Sequence, residues 1–373
     1  MKIPSEQYLN RLGESLLSSF RELEPFRQIN RDIVEEWVGN RYGDQTKTQH
    51  KTLVNLLSTA IETFSIHMVP QRPQVNVTTD YTEYKSTAAS LKIAINNEFE
   101  NMNLESELEM IVTNAWLRMG IAKIGLTSGN YERVGNQVLD VGRLFVQSVS
   151  LDNWVHDVTA TDFEKCKFYG DRYLITRDEL EAMPLYDAKK HIPDSLNSTS
   201  ADNGTVRLKE LTQGENEHFD EDTSSKAEAW DLYLPYENII ITILNRNDTF
   251  SNISPLRVIE WEGPAEGPYK FLRFNRVPEN ALPMAIAPQL LDLHINTNNL
   301  HRKQLESGQR KKNVYGYKSS HRQDAEAIRN AADNEFVQMQ DPSAVQEFKF
   351  GDIDQQVSAQ LMMLDQLFDR QAG

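Results

Sequence analysis

Two stretches of the chain gather residue types that could do chemistry. LDNWVHDVTATDF brings together Asp152, His156, Asp157 and Asp162. Carboxylates and an imidazole so close could hold a hard cation or supply a general base. The same residues could instead form a polar corner, with aspartates capping turns beside Trp154, and that is the reading adopted. The second stretch is HRKQLESGQRKKNVYGYK, residues 301–318. Arg302, Lys303, Arg310, Lys311 and Lys312 stand there against one acid, Glu306. Such a cluster could grip phosphates or dock an acidic partner. It could also be a solvated helix end, with cations at the negative pole of the helix dipole.

Other chemistry is not visible. No G-x-x-x-x-G-K-[ST] loop, G-x-G-x-x-G turn, H-E-x-x-H pair or G-x-S-x-G elbow occurs. The eight histidines are scattered. The single cysteine, Cys166, permits no internal disulfide and fits a reducing compartment. In EKCKFYGDRYLI it reads as a small buried hydrophobe on an alternating strand. The five tryptophans, Trp37, Trp116, Trp154, Trp230 and Trp261, sit in separate segments and read as core or interface anchors. An enzyme is not expected, nor is any cofactor or metal.

The elements that carry these residues follow from periodicity. With 373 residues, 39% of them hydrophobic and 25% charged, the chain is globular and long enough for two or three domains. Its 55 acids against 39 Lys and Arg disfavour general adhesion to nucleic acid. No apolar run is long enough to span a bilayer, and MKIPSEQYLNRLGESLLSSF has no apolar signal core. The first 120 residues read as helical, with an amphipathic helix over 49–70 and others over 83–102 and 104–119. After Gly120 the period changes to two, predicting strands in IAKIGLTSGNYERV, QVLDVGRLFVQSVS, AEAWDLYLPYENIIITILN and LRVIEWEGPAEGPYKFLRFN. TRDE predicts a helix capped by Thr176.

Residues 194–225 are polar and acidic, predicting a long surface loop. Ordering such a loop costs about 1–2 kcal/mol per residue with little apolar burial to offset it. Limited proteolysis is expected to cut there first, and protection of the loop would show that it packs. A long helix is predicted over 283–310, with Ile286, Leu290, Leu293, Thr297 and Leu300 on its apolar face and Asn296, Asn298 and Asn299 on a polar one. NVYGYKSS, RQDAEAIRNAADNEF and AVQEFKF predict strand, helix and strand. A last helix from Asp352, with Gln355 completing a capping box, stripes Ile353, Val357, Leu361, Leu364 and Phe368. The mixture predicts an α+β fold.

The order of these segments resembles the portal proteins of tailed bacteriophages. Four stretches carry the resemblance: HKTLVNLLSTAIETFSIHMVPQRPQVNVTT, FVQSVSLDNWVHDVTATDFEKCKFYGDRYLITRDEL, FLRFNRVPENALPMAIAPQLLDLHINTNNLHRKQLESG and FKFGDIDQQVSAQLMMLDQLFD. In the second, Val158 stands where the family usually has proline. The resemblance implies a portal-like fold: a helical and antiparallel-β wing over 1–275, a first stem helix over 276–312, a small β-α-β clip over 313–350, and the start of a second stem helix over 351–373. The family's tunnel loop and crown have no counterpart, so a truncated chain or a departure from the family is expected.

The implied function is that of a structural subunit in a dodecameric ring at one capsid vertex, assembled in the bacterial cytoplasm. DNA would pass through the ring during packaging and ejection, touched only non-specifically through its phosphates. Further implied partners are the terminase large subunit, a head-tail adaptor, and the major capsid protein or scaffold; a membrane is not among them. Arg302, Lys303, Arg310, Lys311 and Lys312 are expected to face DNA or a partner. Ile286, Leu290, Leu293, Leu300, Val357, Leu361 and Leu364 are expected to pack the stem. A different head-tail joining protein is the alternative, and an enzyme with an unrecognised site a weaker one.

Overall fold

The computed structural model describes residues 5–39, 54–127, 131–134, 137–140, 142–176, 226–244, 255–264, 266–310, 312–332, 336–350 and 355–372. The fold is α+β, helices with antiparallel sheets, as the periodicity predicts. It divides into two units: residues 1–44 with 55–291, and residues 45–54 with 292–373. Among the described residues no helix is long and apolar enough to cross a membrane.

The first unit opens with α1 (Glu6–Glu22), whose first turn is capped by the Ser5 side chain accepting from the Tyr8 N–H at 3.4 Å. Leu9, Leu12 and Leu16 recur at helical spacing, and all three are buried. They pack on a five-stranded antiparallel sheet of order β5 (Trp154–His156), β6 (Tyr169–Thr176), β7 (Lys226–Leu234), β8 (Ile239–Leu244) and β9 (Arg257–Glu260). Alternation in β7 makes the two layers: Trp230, Leu232 and Leu234 meet α1, while Tyr233 joins a second core on the opposite face. Each such side chain contributes about 1.5–3 kcal/mol on burial.

The second core is closed by a three-stranded sheet of order β10 (Tyr269–Leu272), β1 (Gly120–Thr127) and β4 (Arg143–Val149). Trp154 lies at its centre, fully buried, with Tyr269 and Phe271 set edge-on at 5.0 and 5.5 Å. β2 (Tyr131–Val134) and β3 (Gln137–Asp140) form a separate pair. Among the described residues, the other α-helices lying wholly in this unit are α2 (Glu24–Val38), α3 (Leu56–Met68), α4 (Lys85–Asn101) and α5 (Leu104–Leu117). α2 ends at Gly39, whose φ of 78° suits glycine. α5 turns into β1 at Gly120, where a Cβ would sit 2.3 Å from the Ile111 carbonyl oxygen, so only glycine fits.

α6 (Ala287–Gln309) starts in the first unit, and its residues from Asp292 onward belong to the second. It begins later than the predicted Pro283, because Met284 is bridged antiparallel to Asn275, its N–H donating to the Asn275 carbonyl at 2.8 Å. In the second unit β11 (Lys312–Tyr317) pairs antiparallel with β12 (Val345–Phe350), from Lys312↔Phe350 to Tyr317↔Val345. Between them runs α7 (Arg322–Asn330). Its buried Asp324 accepts from the backbone N–H groups of Gln340 and Asp341 at 3.2 and 3.4 Å, which ties the return chain to the helix. α8 (Gln355–Ala372) follows, and Gln304 of α6 donates to the Ser358 hydroxyl at 2.8 Å.

Thr176 ends strand β6, its backbone pairing with Lys226 of β7. Two expectations are corrected. Cys166 precedes the strand: it closes a single 3-10 turn, Phe163–Lys165, that Asp162 caps. Asn298 is fully buried and not on a solvated face. The helix predicted over 49–70 starts only at Leu56, where Asn55 caps it by accepting from the Ser58 N–H. Residues 49–53, the helix expected after Thr176, the loop at 194–225 and the cap at Asp352 lie outside the described residues.

Candidate nucleic-acid and partner interface

The basic stretch is positioned by α6 and the start of β11. One side of α6 is fixed by a buried line, His294, Thr297 and Asn298. The Asn298 amide accepts from the Val54 N–H at 2.9 Å and donates to the Val54 carbonyl at 3.2 Å. This is the two-bond pattern that a paired strand would offer. Its amide also donates to the His294 carbonyl at 3.1 Å. With that side held, the exposed row is Asp292, Asn296, Asn299, Lys303, Glu306 and Arg310, spaced three and four apart.

The five basic residues therefore do not share one face. Lys303 and Arg310 are exposed on that row, with Glu306 between them. Arg302 is half-buried and turned back along the helix, donating to the Asn298 carbonyl at 3.3 Å and to Asn299 Oδ1 at 2.5 Å. Lys311 lies outside the described residues. Lys312 opens β11, opposite Phe350. The density of positive charge thus falls at the helix end, where residues 307–317 contain three basic residues and no acid. The helix dipole favours cations there. Tyr315 and Tyr317 follow on one face of β11, more than half and about half exposed (58% and 49%).

Of the residues expected to pack the long helices, Leu290 is fully buried. Ile286, Leu293, Leu300, Val357, Leu361 and Leu364 are half-buried.

The metal-like cluster separates into unconnected duties. Asp152 Oδ1 accepts from Arg31 Nε and Nη2 at 3.0 and 2.8 Å. Asp157 turns the chain by accepting from the Thr159 N–H and hydroxyl at 3.1 and 2.6 Å. Asp162 caps Phe163 and pairs with Arg273 and Arg276 at 3.2 and 2.9 Å. His156 is buried against Phe163, and that burial pushes its pKa down to about 4, so it is neutral at pH 7. Among the described residues no group of three acids, histidines or cysteines could hold a metal ion. Burial pushes the Cys166 thiol up to about 12, leaving it a poor nucleophile.

Two buried charge networks escaped the sequence reading. In one, Arg27 donates to the carbonyls of Phe20, Leu151 and Trp154 at 2.7, 3.1 and 2.9 Å. Its guanidinium lies 3.6 Å from the Phe20 ring centroid, and that of Arg172 lies 4.6 Å from the same ring. Burial, then repulsion from Arg172, brings Arg27 down to about 10.

In the other network, Lys123 of β1 reaches Asp171 of β6 at 2.8 Å and Asp231 of β7 at 2.9 Å, in the seam between the two sheets. Asp171 also accepts from the Tyr269 hydroxyl, and Asp231 from the Thr242 hydroxyl at 2.6 Å. Burial holds Asp171 above the ordinary carboxylate range. Burial acts on Asp231 too, but Lys123, Arg257 and Thr242 together outweigh it and hold that carboxyl low. The signal was present: Lys123 shares the core-facing side of β1 with Ile121, and Asp231 shares its side of β7 with Tyr233. These groups are enclosed and saturated, so they join layers and present nothing to a substrate.

A family model described as Phage SU10 portal protein matches residues 66–373, most of the chain. No curated protein matches it.

Proposed function

Because the chain belongs to the phage SU10 portal protein family, we propose that it is a structural subunit of a dodecameric portal ring at one capsid vertex. The observation that carries this reading is the family match across residues 66–373. DNA passes through the ring without sequence readout and without catalysis by this subunit. Residues 1–275 serve as the wing, 276–312 as the first stem helix, 313–350 as the clip and 351–373 as the start of the second stem helix. The terminase large subunit and a head-tail adaptor dock through the clip, and the major capsid protein or scaffold meets the wing.

In a ring every charge is repeated around one axis. A chain with 55 acids against 39 Lys and Arg gives a wall that repels phosphate, which lets DNA slide. Arg310, Lys311 and Lys312 become a positive collar where stem meets clip, with Lys303 behind them. Arg302 contributes charge more than contact, being tied to Asn298 and Asn299.

Reversing Arg310, Lys311 and Lys312 to glutamate tests the collar. Reversed charge is felt within a screening length of about 8–10 Å, so packaging efficiency is expected to fall by about tenfold or more. Ring yield by native mass spectrometry should stay near wild type, since the replaced residues are charged and lie outside the apolar stripe of Ile286, Leu290, Leu293 and Leu300. Normal packaging by intact variant rings would reduce the patch to a solvated helix end. A full-length chain that never assembles beyond a monomer would overturn the portal reading.

A further inference from the structure

α4 is only lightly packed, along one line of half-buried residues, Ala88, Lys92, Ile95 and Phe99. None of its residues is buried, and Leu91 and Ile93 are 48% and 63% exposed. A helix of this length draws little stability from propensity alone, and its other sides are open to a partner. The chain leading into it is equally bare. Tyr81 and Tyr84 are 71% and 58% exposed, and Ile66, near the end of α3, is 75% exposed. Residues 73–79 form no helix or strand, and no strand pairs with them among the described residues. They are nevertheless held in place: Asn96 of α4 accepts from the Val75 N–H at 2.9 Å and donates to its carbonyl at 3.3 Å. So many exposed apolar side chains on one ordered stretch mark a candidate interaction surface.

Charge identifies what covers it. From 84 to 97 the only charges are Lys85 and Lys92; from 98 to 110 the only ones are Glu98, Glu100, Glu105, Glu107 and Glu109. Glu107 accepts from the Ser148 N–H at 2.8 Å. The other six have no ion-pair partner among the described residues. An occupant must therefore offer acids to one half, bases to the other, and apolar area along both. This same stretch in another copy of the chain offers all three.

We infer that α4, with the segment before it and the start of α5 after it, docks a second copy of this chain. The Lys85–Lys92 half of one copy meets the Glu98–Glu109 half of the next. Because the two halves are different patches, the contact can be heterologous and close a ring by repetition. The inference rests on the portal-ring reading and assigns one of its subunit contacts.

Charge swaps on the full chain test it, with assembly followed by native mass spectrometry and sedimentation at low and high salt. K85E/K92E and E98K/E100K each place like charges across the contact, and each is expected to weaken self-association at low salt by about tenfold or more. The combined K85E/K92E/E98K/E100K chain again presents opposite charges and should recover to within about threefold of wild type. Helix content by circular dichroism should match in all four chains, since only exposed or half-exposed side chains change. Wild-type rings matched in yield and salt dependence by both double variants would overturn the contact and leave the ring reading intact. The same holds for variant rings of normal mass that fail to join a capsid, which would assign the surface to another virion protein. A wild-type chain that stays monomeric would overturn the ring reading itself.

Discussion

Lys123→Ala is expected to cost about 3–5 kcal/mol of stability, because it removes one partner from a buried charge group and leaves the others facing each other. Asp171 and Asp231 occupy paired positions on β6 and β7, and Lys123 lies within 2.9 Å of both. Arg257 stands farther off, 3.5 Å from Asp231, and does not reach the seam between the sheets that Lys123 fills. The effect should depend on pH with a defined sign. Without Lys123 the folded-state carboxyl pKa values rise above their unfolded values. A raised carboxyl costs stability above its unfolded pKa and recovers it as pH falls and the proton binds. The loss relative to wild type should therefore be largest near pH 7 and shrink toward pH 4. Urea midpoints at the two pH values measure this. A loss under about 1 kcal/mol, unchanged between them, would show that Lys123 is not the counterion of the seam.

That seam also shows where sequence reading runs out. Period-two alternation correctly produced β1, β4 and β7, and the continuous apolar run IIITIL produced β8. The same rule treats a lysine or aspartate as solvated. Lys123 and Asp231 are 108 residues apart, and nothing local tells either that the other is within 3 Å. Asn298 failed for the same reason. Its partner, the Val54 backbone, is 244 residues distant, and a side chain that mimics a strand leaves no periodic trace.

The polar corner around Asp152–Asp162 was legible where its hydrogen bonds are local, Asp157 to Thr159 and Asp162 to Phe163, but its distant partners Arg31, Arg273 and Arg276 were not. The basic stretch was legible as composition but not as geometry. Six residues on the exposed row of α6 include Lys303 and Arg310 together with Glu306, while Arg302 folds back, and only the three-dimensional row separates them. Opposite charge along α4 and α5 was equally visible in the letters. Its meaning needed the finding that no residue of α4 is buried.

The remaining large effect lies on α6, where two leucines read as equivalent are not. Leu290 is fully buried, whereas Leu300 is half-buried. Leu290→Asp removes a packed side chain, worth about 2–5 kcal/mol for truncation alone. It also puts a carboxylate at a fully buried position, adding several kcal/mol more at neutral pH. The isolated chain is expected to lose cooperative unfolding, or to have its urea midpoint shifted beyond what any surface change on α6 produces. Leu300→Asp keeps its new carboxylate within reach of water and should cost about 1–2 kcal/mol in the isolated chain. If Leu300 packs the stem between subunits, its larger effect appears only on assembly: a near-normal midpoint with a reduced ring yield. Equal midpoint losses from the two substitutions would place Leu300 in the chain's own core and remove it from the stem contact.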